Sequence, residues 1–273
     1  MTLLRASLFN LYFVLLTVGM GIGAFWVRLF ARHHALAYAT LWCRLSIRGL
    51  QAICGIRVVL SGLEHLPDGP VLIASQHQSA FDTLVWLTLV RRPAYVMKRE
   101  LTRLPLIGPM LLLAGMIPVD RAAGAKALRG LLRETDAAVA DRRQIVIFPE
   151  GTRVVAGTMV ALQPGIAALA AHSRLPVLPV ATDSGYCWPR NAFIKRPGTI
   201  HIAIAPPIMP AQLAGQPRAR LLGAIRDAWD TQEAQIAAES TGNQERPRWE
   251  KPVDNSVDAV SYTHLTLPTI YSV

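Results

Sequence analysis

Val71-Leu72-Ile73-Ala74-Ser75-Gln76-His77-Gln78-Ser79-Ala80-Phe81-Asp82 changes its grammar halfway along. The first four residues predict a short buried strand, and the remaining eight place a histidine and an aspartate five positions apart just beyond its end. On an unbroken helix that offset is about 500°, so the two side chains would point roughly 140° apart. A loop must therefore turn His77 back. Ser79, three residues before Asp82, has the spacing of a helix N-cap box, which predicts a helix starting there and leaves His77 in the preceding loop. His77 and Asp82 then meet across the helix start. Asp82 would fix the imidazole tautomer through one ring nitrogen, and the other nitrogen would take a proton from a hydroxyl. The bland alternative is that Asp82 only caps a helix and His77 is an ordinary loop residue.

Working outward, short β-rich runs recur at Arg57 to Leu60, Ala94 to Met97, Met116 to Val119, Gln144 to Phe148, Val177 to Ala181 and Thr199 to Ile204. Helical patterns fall between them, notably Ala123 to Ala140 and Ile166 to His172, and Leu66-Pro67-Asp68-Gly69-Pro70 is a turn. This alternation predicts an α/β fold, a mixed sheet covered by helices, beginning near residue 56.

The residues before it belong to a different class. Ala6 to Val27 carries no charge and is flanked by Arg5 and Arg28, the length and pattern of a membrane-inserted helix. A signal peptide competes for this segment, since Gly19, Gly21, Gly23 and Ala24 supply small residues. From Ala35 to Cys54, Arg44, Arg48 and Gln51 share one face of an amphipathic helix, which suits either a surface helix packed on the core or one with its arginines at lipid headgroups. The two helices together read as a membrane-docking motif. Net charge is +10, and no acidic residue precedes Glu64. A basic, apolar N-terminus suits an anionic membrane surface, and no nucleic-acid-binding motif accompanies the charge. Cys43, Cys54 and Cys187 are too scattered for a disulfide framework or a zinc site. The expected organisation is 1–55 anchor helices, 56–240 α/β domain, 241–259 polar tail, and 260–273 a segment resembling a translated sequencing adapter, whose origin would put the natural C-terminus outside this sequence.

Two further blocks carry candidate chemistry. In Phe148-Pro149-Glu150-Gly151-Thr152-Arg153 an apolar run ends in a polar turn, where Gly151 lets backbone approach a ligand and Arg153 offers a fork of donors to a phosphate. Glu150 would orient that arginine or bond a glycerol hydroxyl; otherwise the turn is a surface ion pair of small energetic consequence. Gly115-Met116-Ile117-Pro118-Val119-Asp120-Arg121 ends in a second arginine, either a phosphate clamp or a salt-bridge partner of Asp120. The apolar Leu104 to Ala114 lines an acyl-chain channel or packs in the core. No Gly-x-Ser-x-Gly elbow surrounds Ser79 or Ser184, which disfavours a serine hydrolase.

The His77/Asp82 block, Gly115 to Arg121, Phe148 to Arg153 and Leu175-Pro176-Val177-Leu178-Pro179-Val180 occur in the order of the four motifs of the 1-acylglycerol-3-phosphate acyltransferase family, and the chain resembles that family over roughly residues 57 to 210. Asp183 to Arg190 resembles its bacterial members. The resemblance implies His77 as general base and Asp82 as its partner. It implies Arg121, Glu150, Gly151, Thr152 and Arg153 at the acceptor's phosphate, Lys98 near the reacting carbonyl or a phosphate, and Pro179 shaping the site. It also implies an N-terminal two-helix anchor, acyl-CoA or acyl carrier protein as donor, a lysophospholipid acceptor, no metal and no cofactor. The implied location is the bacterial inner membrane with the site facing the cytoplasm. One departure is Gln163, where many relatives carry a lysine before Pro164-Gly165. The alternatives are an acyltransferase for another lysolipid, such as a lyso-ornithine lipid, and a non-catalytic membrane lipid-binding protein.

Overall fold

Strand β2, Val71–Ser75, is buried at all five positions and sits at the centre of a seven-stranded sheet. The computed structural model describes residues 1–120, 123–210 and 217–241; Arg121 and the segments expected at 242–259 and 260–273 lie outside them. The other strands are β1 Ile56–Ser61, β3 Pro93–Lys98, β4 Ile117–Val119, β5 Gln144–Ile147, β6 Val177–Thr182 and β7 Gly198–Ile204, in the spatial order β1-β7-β6-β2-β5-β3-β4. All pairings are parallel except β6 with β7, so the sheet is mixed, as expected. Each strand read from the sequence forms within a residue or two of its expected bounds.

The contrast between centre and edge reflects what covers each strand. β2 lies between layers and therefore reads as continuous apolar residues, whereas β1, at the edge, alternates buried and exposed positions and leaves Arg57 and Val59 exposed. Successive side chains of β2 go to opposite faces. Ile73 joins a core with Phe81, Val85 and Trp86 of α3 (Phe81–Leu89), Cys43 and Leu50 of α2 (Ala35–Cys54) and Phe9 of α1 (Thr2–Phe30). Leu72 and Ala74 join a second core with Leu131 of α5 (Gly124–Ala140), Leu169 of α6 (Gly165–Ser173) and Trp229 of α8 (Pro217–Thr241). The helix α4 (Gly108–Leu113) follows β3, and the short α7 (Ser184–Cys187) follows β6.

Helix α1 buries only Ala6, Phe9, Gly21 and Ala24, and leaves side chains such as Leu11, Leu15, Ile22 and Trp26 exposed. It is long and apolar enough to cross a membrane, and only 17% of its most apolar window is buried, unlike the core helix of a soluble protein. Its antiparallel partner α2 is joined to it by hydrogen bonds: the Tyr12 hydroxyl donates to the Leu45 carbonyl at 2.9 Å, and Tyr38 donates to that of Met20 at 2.8 Å. Arg44, Arg48 and Gln51 are exposed as the pattern required, while the opposite face of α2 belongs to the core. Phe9 meets the edge of Trp188, and the Lys195 ammonium lies 5.0 Å from that indole and donates to Asn10 Oδ1. Residues Met1–Ile236 thus form one compact unit.

Candidate functional site

The residues singled out in the sequence gather beyond the C-terminal ends of the parallel strands, where an open α/β sheet leaves room for ligands. His77 follows β2, Lys98 closes β3, and Glu150 to Arg153 follow β5. The segment after β4 leads to Arg121, which lies outside the described residues.

Asp82 is 2% exposed and is surrounded by donors. Its Oδ2 accepts the backbone N–H groups of Gln78 and Ser79, each at 2.7 Å, and lies 3.3 Å from His77 Nδ1. Its Oδ1 accepts the Ser184 hydroxyl at 2.6 Å. Such a carboxylate can hold a proton on Nδ1, which leaves Nε2 as the basic nitrogen. The imidazole stacks on Phe148, ring centroids 4.1 Å apart, and lines the main cavity.

The local build differs from the expected cap in one respect. The helix starts at Phe81, and the Ser79 hydroxyl accepts the Phe81 N–H at 3.1 Å in place of an N–H at position 82. Two consecutive amides converge on one carboxylate oxygen, and that demands a turn where a helix would carry its N–H groups along the axis. The essential consequence, His77 outside the helix and facing Asp82, is what the structure contains.

Glu150 is found elsewhere than beside Arg153. Its Oε2 accepts the His77 backbone N–H at 2.6 Å, and the carboxyl is 8% exposed. Burial pushes its pKa up to about 8; the His77 amide and Arg226 oppose the rise, and Asp82 and Glu233 add to it. Glu150 is therefore largely protonated at neutral pH, which removes a second negative charge from the vicinity of Asp82. Beside it the chain turns at Gly151, φ +74°, a conformation that favours glycine. Thr152 is exposed, and Arg153 is half-buried, its carbonyl accepting from Arg190 at 3.0 Å.

The cavity, about 590 Å³, runs from His77 and the Gly151–Arg153 turn to α1 and α2. Lys98, Arg153 and Arg190 stand among its lining residues, and the remainder is largely apolar: Met20, Gly21 and Ala24 of α1, Tyr38 and Trp42 of α2, and Leu104, Ile107 and Leu111 from the stretch before and within α4. The apolar Leu104 to Ala114 therefore both packs and lines a channel. Pro179 is buried in β6 opposite Ala74 and is not part of the cavity wall.

Several supporting residues escaped the sequence reading. Gln76 Oε1 accepts the Thr182 N–H at 3.0 Å, and its amide donates to Glu233 at 2.6 Å; Gln78 Oε1 accepts the Gly185 N–H at 3.2 Å. With the Ser184 hydroxyl, these bonds tie the His77 loop to the end of β6, to the segment after it and to α8. Ser184, which the sequence raises only as a nucleophile to be rejected, serves Asp82. Its partner is 102 positions away, so nothing local signals it. Among the described residues no group of His, Cys, Asp and Glu is arranged to hold a metal.

The model of the acyltransferase family matches residues 57–183, which include His77, Asp82, Lys98 and Glu150 to Arg153, and with the relative that follows it makes the chain an acyltransferase by class. It is 37% identical over 188 residues to the 1-acyl-sn-glycerol-3-phosphate acyltransferase of Pseudomonas aeruginosa, covering 69% of this chain and 73% of that one. The corresponding enzyme of Limnanthes douglasii is 31% identical over 159 residues, 57% of this chain and 56% of the plant protein. The crystal structure of the 1-acyl-sn-glycerophosphate acyltransferase PlsC from Thermotoga maritima shares the fold, with a TM-score of 0.71 at 22% identity, covering 92% of this chain and all of that one. The chain belongs to the 1-acyl-sn-glycerol-3-phosphate acyltransferase family of enzymes.

Proposed function

We propose that this enzyme moves a fatty acyl chain from acyl-CoA or acyl carrier protein to the sn-2 hydroxyl of 1-acylglycerol-3-phosphate, making phosphatidic acid for phospholipid synthesis. The observation that carries the reading is an imidazole whose Nδ1 meets the buried Asp82 while its ring faces an apolar cavity reaching α1 and α2. In this reaction His77 Nε2 takes the acceptor's hydroxyl proton as the oxygen attacks the thioester carbonyl. The tetrahedral intermediate collapses with cleavage of the C–S bond, and the imidazolium returns the proton to the departing thiolate. No covalent acyl-enzyme is needed, and both candidate serines are engaged elsewhere: Ser184 donates to Asp82, and Ser79 accepts from Phe81.

Arg153 and Lys98, on the cavity wall, are assigned to the acceptor's phosphate, together with Arg121 and the Gly151–Thr152 backbone. Glu150 is assigned a supporting role, holding the His77 backbone. The reaction as written uses neither a metal nor a cofactor. The membrane is assigned as the bacterial inner membrane, with the site on the cytoplasmic side where soluble thioesters reside; labelling of Lys98 from the outer side of intact vesicles would contradict that placement.

Acyl transfer from labelled oleoyl-CoA and oleoyl-acyl carrier protein to a panel of lysolipids, with His77→Ala alongside, tests the reading. Transfer to lysophosphatidic acid that vanishes in the variant is the expected result. Transfer confined to another lysolipid would replace the acceptor, and no histidine-dependent transfer by folded protein would overturn the enzymatic reading.

A further inference from the structure

A second cleft, about 440 Å³, opens on the other face of the sheet. Its walls include Val96 and Ile147 from the sheet, Leu128 and Leu131 of α5, and Gly165 and Ala168 of α6. Val96 and Ile147 belong to the core under α5 and α6, whereas α1 and α2 cover the opposite face. Val96, Phe148 and Gly151 line both cavities, so the two lie on either side of these residues, and Phe148 carries the ring stacked on His77.

We propose that this second cleft takes the pantetheine arm of the thioester donor. The inference rests on the reaction proposed above, and three observations choose the occupant. The reaction joins a lipid to a water-soluble thioester, and the cleft lies on the face away from α1 and its exposed apolar side chains, so a lysolipid would have to leave the membrane side to enter it. The cleft reaches Phe148, which stacks on His77, and Gly151 in the turn after β5, the side on which the thioester end of a narrow arm must arrive. The exposed Gln163 carboxamide, also in the wall, matches the amides along the arm. The volume is in the range of small-molecule sites, roughly 300–1,000 Å³. Coenzyme A and acyl carrier protein share this arm, so the cleft serves either donor.

Gly165 supplies a sharp test. A Cβ built there meets no atom within 4 Å and its φ is not in the left-handed region, so the backbone accepts a side chain, and leucine at this wall position occupies part of the cleft. Leu128→Trp fills it from the exposed side of α5 and serves as a second variant. Coenzyme A binding to the purified full chain would be measured by calorimetry, and steady-state rates would be taken with oleoyl-CoA, oleoyl-acyl carrier protein and oleoyl-pantetheine.

Both variants are expected to weaken coenzyme A binding by about tenfold or more and to raise KM for all three thioesters, with the acceptor's KM held within about twofold. Unchanged coenzyme A binding overturns the assignment. So does a rise confined to the acceptor's KM, which would make the cleft a lysolipid site, or one confined to oleoyl-CoA, which would deny the shared arm. A wild type that binds coenzyme A in a Gly165-dependent way yet transfers no acyl chain would sink the proposed reaction and leave the cleft assignment standing.

Discussion

On one side of the cavity mouth, His77 and Asp82 are held from every direction: the His77 N–H on Glu150, its carbonyl on the Val154 N–H, its ring on Phe148, and Asp82 on two amides and the Ser184 hydroxyl. On the other side, Lys98 and Thr152 are exposed and Arg153 is half-buried. The difference suits two physical demands of the reaction proposed above. Proton transfer loses rate steeply when its partners shift by an ångström, so the base and its orienter are fixed in advance. A guanidinium awaiting an anion is cheaper to leave in water than to bury unpaired, so the binding side is completed only by its ligand.

The comparison is easiest to break at its rigid end. His77→Ala should lower kcat by about 10²–10⁴-fold with an unchanged thermal melt, since general-base assistance is removed and the fold is not. A smaller loss would mean that the fixed side does not carry the proton. Arg153→Ala, on the solvated side, should act on the acceptor instead: a rise in its KM of about tenfold to a hundredfold, as for a lost charge-assisted bond, with kcat little changed. Arg153→Lys should recover only part of that affinity, because the fork of donors is lost.

Ser184→Ala sharpens the rigid side further. Removing one donor from the buried Asp82 carboxylate should cost about tenfold in kcat and leave both KM values alone, and threonine should restore most of it. In an Asp82→Asn background the same change should add almost nothing, because the two residues act as one unit. A loss as deep as that of His77→Ala would instead point to a serine nucleophile.

The last expected effect concerns pH and is read in stability alone. Burial raises the Glu150 pKa from 4.5 to about 8, so the folded chain holds this proton more tightly than the unfolded chain does. Stability from this group is fully present below pH 4.5 and is lost as pH climbs to about 8, with a total on the order of a few kcal/mol. Glu150→Gln keeps an acceptor for the His77 N–H and removes the titration. Melting curves of the variant should therefore fall less than wild type between pH 5 and 8; parallel curves would show that Glu150 is ionised throughout.

The polar stretches divide in how far they could be read. The His77–Asp82 encounter was legible because the helical offset of five residues forbids it and Ser79 supplies the turn. The Glu150 contact was not: Glu150 and Arg153 are neighbours in sequence, and their pairing is the natural local guess. The carboxyl instead reaches an amide 73 positions earlier, because β5 lies beside β2 and their C-terminal ends open together. Arg44, Arg48 and Gln51 show the converse, a helical spacing that correctly marks the exposed face of α2 with no knowledge of its neighbours.

By itself the sequence determined the strands, the helices α1, α2, α5 and α6 and the loop that frees His77, all of which depend on periodicity and on turns a few residues long, whereas α8, Pro217–Thr241, was not read from it. Only the tertiary structure decided that Ser184 serves Asp82, that Glu150 holds the histidine's backbone, and that two cavities on opposite faces of the sheet share Gly151 in their walls. Such contacts join segments up to 157 positions apart, as between Gln76 and Glu233. They arise from the order in which parallel strands lie side by side, a property that residue spacing along the chain does not encode.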